Sequence, residues 1–235
     1  MPSFRRLGYL IDMPADNPAA ARAVVFDVMG TLFSLEPVRE RFLALGAAPP
    51  ALEAWFQRIL HEAATVTIVD DYRTFKELAA SALRTTLAQL GLDPEGTEPL
   101  DALGELDPYP EAEAALRRLS DAGLTVVTLS NGAKGSTERL LDRGRLRQHV
   151  EQVLSCDDVQ AFKPHRAPYE YALSRLSMPA TMVAAHGWDI VGARAAGLDV
   201  IWVDREEQAW PFPLAQPPQV HDLAEAAELI LQAIG

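Results

Sequence analysis

The fold is decided by the stretch Ala23-Val24-Val25-Phe26-Asp27-Val28-Met29-Gly30-Thr31-Leu32. Its apolar beginning predicts a strand over Ala23–Val28, because a strand that is covered on both faces of a sheet is almost continuously apolar. Gly30 then allows a tight turn. The stretch therefore predicts a strand of a parallel sheet with Asp27 at its carboxyl end, which is where open α/β folds bind ligands.

Further short apolar runs follow, and they alternate with longer segments of helical periodicity. Strands are predicted at Leu124–Leu129, Gln152–Ser155, Met182–His186 and Val200–Val203. Helices are predicted at Glu111–Ala122, Gly135–Asp142, Pro168–Leu176, Ile190–Ala196 and Asp222–Ile234. This alternation is typical of βα units around a parallel sheet, so the sequence predicts the α/β fold class.

One connection is much longer than the others. The segment between Val28 and Leu124 far exceeds the dozen or so residues that a βαβ crossover needs. Pro50–Val69 and Asp71–Leu90 have helical spacing of apolar residues, which predicts an all-helical insertion that emerges beside Asp27 as a lid. The predicted organisation is an N-terminal extension (1–21), a core (22–35 and 109–235) and a helical cap (36–108).

Composition restricts the partners. The chain has 235 residues, 49% of them hydrophobic, and a net charge of -12. A negative field repels phosphate backbones and acidic membrane surfaces, so we expect neither nucleic acid nor a membrane as a partner. Cys156 is the one cysteine, which excludes an intramolecular disulfide and fits a cytoplasmic protein. The sequence 1–21 is too polar for a signal peptide, and no apolar run is long enough to span a membrane.

Polar residues follow several of the predicted strands. They are Ser130-Asn131-Gly132, Lys163-Pro164, and Asp189 within His186-Gly187-Trp188-Asp189. Each alone has an ordinary structural explanation: a turn, a surface loop and a helix N-cap. Their order is more informative, because residues at the carboxyl ends of separate parallel strands converge with Asp27 on one crevice.

In this order the chain resembles the haloacid dehalogenase superfamily, and most closely its 2-haloacid dehalogenase branch. The resemblance covers nearly everything after residue 22 and implies a Rossmann-like core with a helical cap. It also implies a hydrolase with an aspartate nucleophile. Its motifs are Phe26-Asp27-Val28-Met29-Gly30-Thr31-Leu32-Phe33, Leu129-Ser130-Asn131-Gly132, Phe162-Lys163-Pro164 with Tyr169 beyond it, and His186-Gly187-Trp188-Asp189-Ile190-Val191-Gly192-Ala193.

The resemblance also implies catalytic roles. Asp27 is the nucleophile, and Thr31 and Ser130 are hydrogen-bond donors around it. Lys163 keeps the carboxylates ionised, and Asp189 orients or activates the hydrolytic water. The charges are compatible with these roles, because an ammonium ~4 Å from a carboxylate attracts it by about 4 kcal/mol at an effective dielectric near 20, before desolvation.

Two positions differ from the superfamily's phosphatases. Those enzymes have a second aspartate, which protonates the leaving group, where this chain has Met29. They have an acid that helps to hold Mg²⁺ where this chain has Ala185. Methionine transfers no proton, and Asp27 and Asp189 alone would furnish a hard divalent site poorly. We therefore expect no metal or organic cofactor. The alternatives are a slow Mg²⁺-dependent phosphatase and a non-catalytic binding protein with this fold.

The cap differs from the dehalogenases. They have an arginine beside the departing halide, and an ungapped comparison from Trp55 to Phe75 places Phe56 there. Arg58 lies about 200° further round the helix. Arg39 and Arg41 could replace the arginine, although a solvated helix face is the expectation we favour for both.

The pocket itself is expected to be more apolar than in the dehalogenases, which have a tyrosine, a serine and an asparagine where this chain has Met29, Ala184 and His186. We expect a small 2-halo carboxylic acid or a related apolar substrate, and the resemblance allows a homodimer. His186 could serve as a base or as a partner of Asp189, or could simply be bound by backbone. The predicted substrate-binding residues are Met29, Asn131, Phe56, Tyr169, His186 and Trp188, each of which could instead be structural.

Overall fold

The computed structural model describes residues 22–205 and 209–234. Its centre is a parallel sheet with the strand order β3-β2-β1-β4-β5-β6, which confirms the predicted α/β class. The strands are β1 (Ala23–Phe26), β2 (Thr125–Ser130), β3 (Gln152–Ser155), β4 (Ala180–Ala184), β5 (Asp199–Val203) and β6 (Gln219–Val220).

Helices account for most of the remaining described structure. Five of them lie between β1 and β2 in the chain: α1 (Glu36–Ala44), α2 (Ala51–Ile68), α3 (Phe75–Gln89), α4 (Glu98–Asp101) and α5 (Ala112–Asp121). The others follow β2: α6 (Lys134–Arg143), α7 (Arg166–Leu176), α8 (Gly187–Ala195) and α9 (Leu223–Ile234). The helices predicted at Pro50–Val69 and Asp71–Leu90 correspond to α2 and α3. The division into core and cap stays a prediction.

The position of β1 explains why Asp27 is central. β1 pairs with β2 on one side and with β4 on the other, so it lies in the interior of the sheet. Val24 and Phe26 belong to one buried apolar cluster, and Ala23 and Val25 belong to a second one. Alternate residues of β1 therefore fill the two cores. Asp27 follows directly, at the point where the chain's crossovers change direction and where α/β folds place their ligands.

The predicted bounds of β4 and the predicted start of the helix that follows it are wrong. The strand predicted at Met182–His186 is Ala180–Ala184, and α8 begins at Gly187 rather than at Ile190. The reason is that the backbone of His186 already belongs to the helix start: its carbonyl accepts hydrogen bonds from the N–H groups of Asp189 and Ile190. Asp189 consequently lies in the first turn of α8. The short edge strand β6 was not predicted, since two residues carry too little pattern.

Two backbone segments join the helices α1–α4 to the sheet. Phe33 and Pro108 form an antiparallel bridge. Ser34 N donates to Asp107 O at 2.9 Å, and Tyr109 N donates to Leu32 O at 2.9 Å. The outgoing and returning chains therefore lie side by side next to the loop that holds Asp27.

A second attachment lies at the far end of α2. Phe162 N donates to Thr67 Oγ1 at 3.1 Å, and the rings of Tyr72 and Phe162 stack with centroids 5.0 Å apart. Tyr72 OH also donates to Asp157. These contacts fix the loop that leads into Lys163.

Two sequence-based expectations concern the ends of the chain and membranes. The N-terminal extension predicted at 1–21 lies outside the described residues. Within 22–205 and 209–234, none of the helices combines the length and the apolar character that a bilayer span requires.

Candidate active site

Asp27 is the centre of a buried polar cluster. Its Oδ1 accepts a hydrogen bond from Lys163 Nζ at 2.8 Å, and its Oδ2 accepts one from Thr31 Oγ1 at 2.8 Å. Thr31 Oγ1 itself accepts from Ala185 N at 2.9 Å, which directs the hydroxyl proton toward Asp27. The carboxylate is only 5% exposed, so these bonds fix its orientation.

Lys163 connects the cluster. Its Nζ donates to Asp27 Oδ1, to Asp189 Oδ2 at 2.6 Å and to Leu129 O at 2.9 Å. An ammonium has three protons, so its donors are fully used. Burial alone would lower the pKa of Lys163, but the charges of the two carboxylates raise it above its ordinary value. The lysine therefore remains a cation inside the protein.

The two carboxylates have different environments. Burial alone would raise the pKa of Asp27, but the charge of Lys163, assisted by its hydrogen bond and that of Thr31, brings it below its ordinary value. Burial raises the pKa of Asp189, and the neighbouring charge of Asp27 adds to the increase. Tyr169 OH donates to Asp189 Oδ1 at 2.6 Å. Asp27 is thus the carboxylate that is held as an anion, which a nucleophile requires.

Ser130 and Asn131 are at the end of β2, as predicted, but their observed bonds are structural. Ser130 Oγ accepts from Gly132 N at 2.9 Å rather than bonding to Asp27. Asn131 Oδ1 accepts from Lys163 N at 3.0 Å and from Cys156 Sγ at 3.2 Å. Asn131 therefore positions the loop that holds Lys163. The donor role of Ser130 toward Asp27 stays a prediction.

His186 lies beside Asp27 in an aromatic stack. Its ring lies between Phe56 and Trp188, with centroid distances of 5.3 Å to each and interplanar angles of 29° and 12°. Its Nε2 is 3.0 Å from Met29 O and 3.9 Å from Asp27 Oδ2. A carbonyl oxygen only accepts, so Nε2 carries the proton in this contact. His186 therefore donates a hydrogen bond to the backbone, which is one of the three roles considered for it, and the other two stay predictions.

Gly30 makes this arrangement possible. Its φ is +78°, in the left-handed region that L side chains rarely adopt. A Cβ at Gly30 would also lie 2.9 Å from His186 Nε2, which is closer than such contacts allow. Both the turn and the position of the imidazole therefore require glycine here.

A family of known proteins matches most of this chain. A family model described as haloacid dehalogenase-like hydrolase matches residues 21–197. The chain belongs to the haloacid dehalogenase-like hydrolases. The resemblance inferred from the motifs is thus confirmed.

Several relatives of this hydrolase are 2-haloacid dehalogenases. It is 31% identical to an (S)-2-haloacid dehalogenase of Pseudomonas fluorescens over 222 residues, which are 91% of this chain and 98% of the relative. It is 31% identical to a dehalogenase crystal structure with a TM-score of 0.84, covering 90% of this chain and 97% of that one. A structure of L-2-haloacid dehalogenase from Xanthobacter autotrophicus with chloropropionic acid covalently bound is 26% identical, with a TM-score of 0.81 and coverage of 90% and 98%.

The hydrolase has a cavity of about 640 Å³ next to its polar cluster. Asp27 does not line this cavity; His186 does, and so it forms the wall between the two. The aromatic lining residues are Phe56, Tyr109, Trp188, Trp202 and Phe212, and the charged ones are Glu36, Arg39, Glu53, Asp204 and Arg205. Phe56 and Trp188 therefore line the cavity, and their role in binding substrate stays a prediction.

Three arginines of this chain could replace the cap arginine of the dehalogenases, and they lie in different places. Arg39 lines the cavity, where its side chain is 27% exposed and binds Glu36 and Glu53. Arg41 binds Glu105 at 3.1 Å, and Arg58 donates to Gln89 at 2.7 Å. Neither Arg41 nor Arg58 lines the cavity.

Arg205 is a site residue that sequence reasoning missed. It donates to Thr31 O at 2.8 Å and to Glu111 Oε1 at 3.0 Å, and its Cζ lies 3.3 Å from the ring centroid of Tyr109. It thereby supports the loop that carries the nucleophile. The available signal was its position just after β5, at the same edge of the sheet as Asp27.

Proposed function

We propose that this hydrolase cleaves a carbon–halogen bond through an aspartyl ester. The observation that carries the proposal is the Asp27 carboxylate, held as an anion by Lys163 and oriented by Thr31 in a buried site. A carboxylate that is both ionised and oriented can displace a leaving group from carbon. The relatives named (S)-2-haloacid dehalogenase support this reaction class.

The first step forms the ester. A carboxylate oxygen of Asp27 attacks the carbon, the carbon–halogen bond breaks, and its electron pair leaves with the halide. This step transfers no proton, which agrees with Met29 beside the nucleophile, since a thioether can neither give nor take one. The relative that holds chloropropionic acid covalently supports an adduct of this kind.

The second step regenerates Asp27. Water attacks the Cγ atom, the bond between Cγ and the ester oxygen breaks, and the departing alkoxide takes one of the water's two protons and leaves as an alcohol. The second proton is released to solvent as Asp27 returns to a carboxylate. We propose that Asp189 orients the water or activates it by accepting the first proton and passing it to the alkoxide. Its raised pKa suits a carboxylate that accepts a proton. Lys163 neutralises charge on both acids throughout.

The proposed substrate is a small 2-halo carboxylic acid or a related apolar compound, and the reaction requires no metal or organic cofactor. The relatives favour this function over a Mg²⁺-dependent phosphatase. The acids of the site give that alternative no support either, since no group of three or more His, Cys, Asp or Glu within the described chain is arranged to hold a metal ion.

Mass spectrometry tests the proposal. Intact protein incubated with a panel of 2-chloro acids, their amides and their longer aryl homologues should gain the mass of the dehalogenated substrate. Asp27→Asn should abolish both the adduct and chloride release, because an amide is a far weaker nucleophile. Asp142→Asn, which changes an exposed carboxylate, is the matched control. Chloride release that survives in Asp27→Asn would show that the mechanism is wrong.

A further inference from the structure

The cavity next to Asp27 has more acidic than basic groups. Glu36, Glu53 and Asp204 line it, against Arg39 and Arg205. An anionic substrate would therefore enter a negative field in the cavity.

Arg39 is not available to an anionic substrate. Its Nε binds Glu36 at 3.2 Å, its Nη2 binds Glu53 at 2.5 Å, and its Nη1 donates to Pro49 O at 3.0 Å. Burial alone would raise the pKa of Glu53, but the hydrogen bond from Arg39 brings it below its ordinary value. Glu53 thus remains an anion and competes for the guanidinium.

Arg205 and Lys163 are also committed. Arg205 donates to Glu111 and to Thr31 O, and its guanidinium lies over the ring of Tyr109. Lys163 uses its three protons on Asp27, Asp189 and a backbone carbonyl. Every cation that lines the described cavity or binds Asp27 therefore already has its partners.

An aromatic stack lines the cavity beside Asp27. His186, whose Nε2 is 3.9 Å from Asp27 Oδ2, lies between Phe56 and Trp188, and Trp202 and Phe212 also line the cavity. Its volume of about 640 Å³ lies within the roughly 300–1,000 Å³ of sites for drug-sized ligands. The cavity thus has room for an aryl group and aromatic surfaces to bind it.

We propose that the substrate is an uncharged 2-halo carbonyl compound with an aryl group, such as a 2-halo amide, rather than a 2-halo carboxylate. The inference rests on the proposed function, and of the two substrate classes given there it keeps the related apolar compound and sets aside the carboxylic acid. The aryl group binds among the cavity's aromatic side chains, and an amide N–H can donate to Glu36 or Glu53. A carboxylate in the same place would displace one of these acids or remain unpaired.

The test measures the rate of chloride release from 2-chloro-3-phenylpropionamide and from 2-chloro-3-phenylpropionate. The rate that the Asp27→Asn variant gives with the same compound is subtracted as background. Each kcat/KM is divided by the rate constant for the same compound with acetate ion, which removes the difference in intrinsic reactivity. We expect the corrected value for the amide to exceed that for the carboxylate at least tenfold.

Two variants make the cavity more favourable for a carboxylate. Phe56→Arg places a guanidinium beside His186, and Glu53→Gln removes one of the two anionic partners of Arg39 and leaves Glu36. Both should lower the ratio of amide to carboxylate at least fivefold. Phe56→Leu changes size without charge and is the matched control, so its ratio should stay within twofold of wild type.

The outcomes separate the two proposals. Chloride release that depends on Asp27 but is as fast or faster with the carboxylate would overturn the inference and leave the proposed function in place. The same holds if Phe56→Arg and Phe56→Leu change the ratio equally. No chloride release above Asp27→Asn from either compound, or from the 2-chloro acid panel, would overturn both.

Discussion

Replacing Lys163 by methionine should destabilise the protein strongly, because it leaves the carboxylates of Asp27 and Asp189 without their common cation. Lys163 is 2% exposed, and its Nζ lies 2.8 and 2.6 Å from the two carboxylates. Removing one partner from a buried ion pair costs about 3–5 kcal/mol. At roughly 2–4 °C per kcal/mol for a chain of this size, the melting temperature should fall by about 6–20 °C.

The dependence on pH follows from the pKa shifts. The pKa of Asp27 is lowered in the folded protein, so Asp27 stabilises the fold above its unfolded pKa and loses this effect as the pH falls through the folded pKa. Lys163, whose pKa is raised, stabilises the fold below its unfolded pKa. Without Lys163 the carboxylates take up protons at higher pH. The penalty of Lys163→Met should therefore be full at pH 7 and shrink toward pH 4.

Urea denaturation at pH 7 and pH 4 measures these free energies of unfolding. Lys76→Met, which changes an exposed lysine of α3, is the control and should stay within about 0.5 kcal/mol of wild type. Adding Asp189→Asn to Lys163→Met removes one uncompensated charge and should recover at least about 1 kcal/mol. A loss below about 1 kcal/mol at pH 7, or an equal loss at both pH values, would refute the electrostatic account.

Three further predictions follow from the same cluster. Gly30→Ala should lower the free energy of unfolding, measured in urea, by about 1–3 kcal/mol, because φ is positive at this position and the new Cβ would clash with His186. Adding His186→Ala to Gly30→Ala should remove the cost of the clash and leave the cost of the positive φ. Tyr169→Phe removes the donor to Asp189 Oδ1 and should cost about 1–3 kcal/mol in the same assay, whereas a neutral effect would mean that the bond is not formed. The melting temperature in millimolar Mg²⁺ should equal that in sodium chloride of the same ionic strength. A higher melting temperature in Mg²⁺ would favour the phosphatase alternative.

Much of the site could be predicted because its residues follow the ends of strands. Asp27 comes directly after β1, and Asp189 follows β4 in the first turn of α8. Lys163 lies beyond β3, on a loop that Asn131 and Thr67 hold in place. The carboxyl ends of parallel strands meet at one edge, so the order of the motifs alone brings these charges together.

Contacts between distant elements could not be predicted. The stack of Phe56, His186 and Trp188 joins α2 to the start of α8, and periodicity gives the buried face of a helix but not the partner of each ring. Arg39 binds Glu53 across two helices for the same reason. Ser130 shows a different limit: its hydroxyl is bonded locally to Gly132 N, a bond that short polar side chains commonly form in turns.

The side-by-side passage of the chain at Phe33–Ser34 and Asp107–Tyr109 has a consequence for how this protein can change. The backbone pairing already holds the two ends of the intervening segment together. A longer or shorter segment would therefore change the conformational entropy of folding only a little, because the entropy of closing a loop depends weakly on its length. The helices from Glu36 to Gly104 can thus be exchanged as a cassette, provided that the two junctions and the contacts of Thr67 and Tyr72 with the loop before Lys163 are rebuilt. A recombinant chain could keep the nucleophile and its lysine while it acquires the pocket wall of another relative.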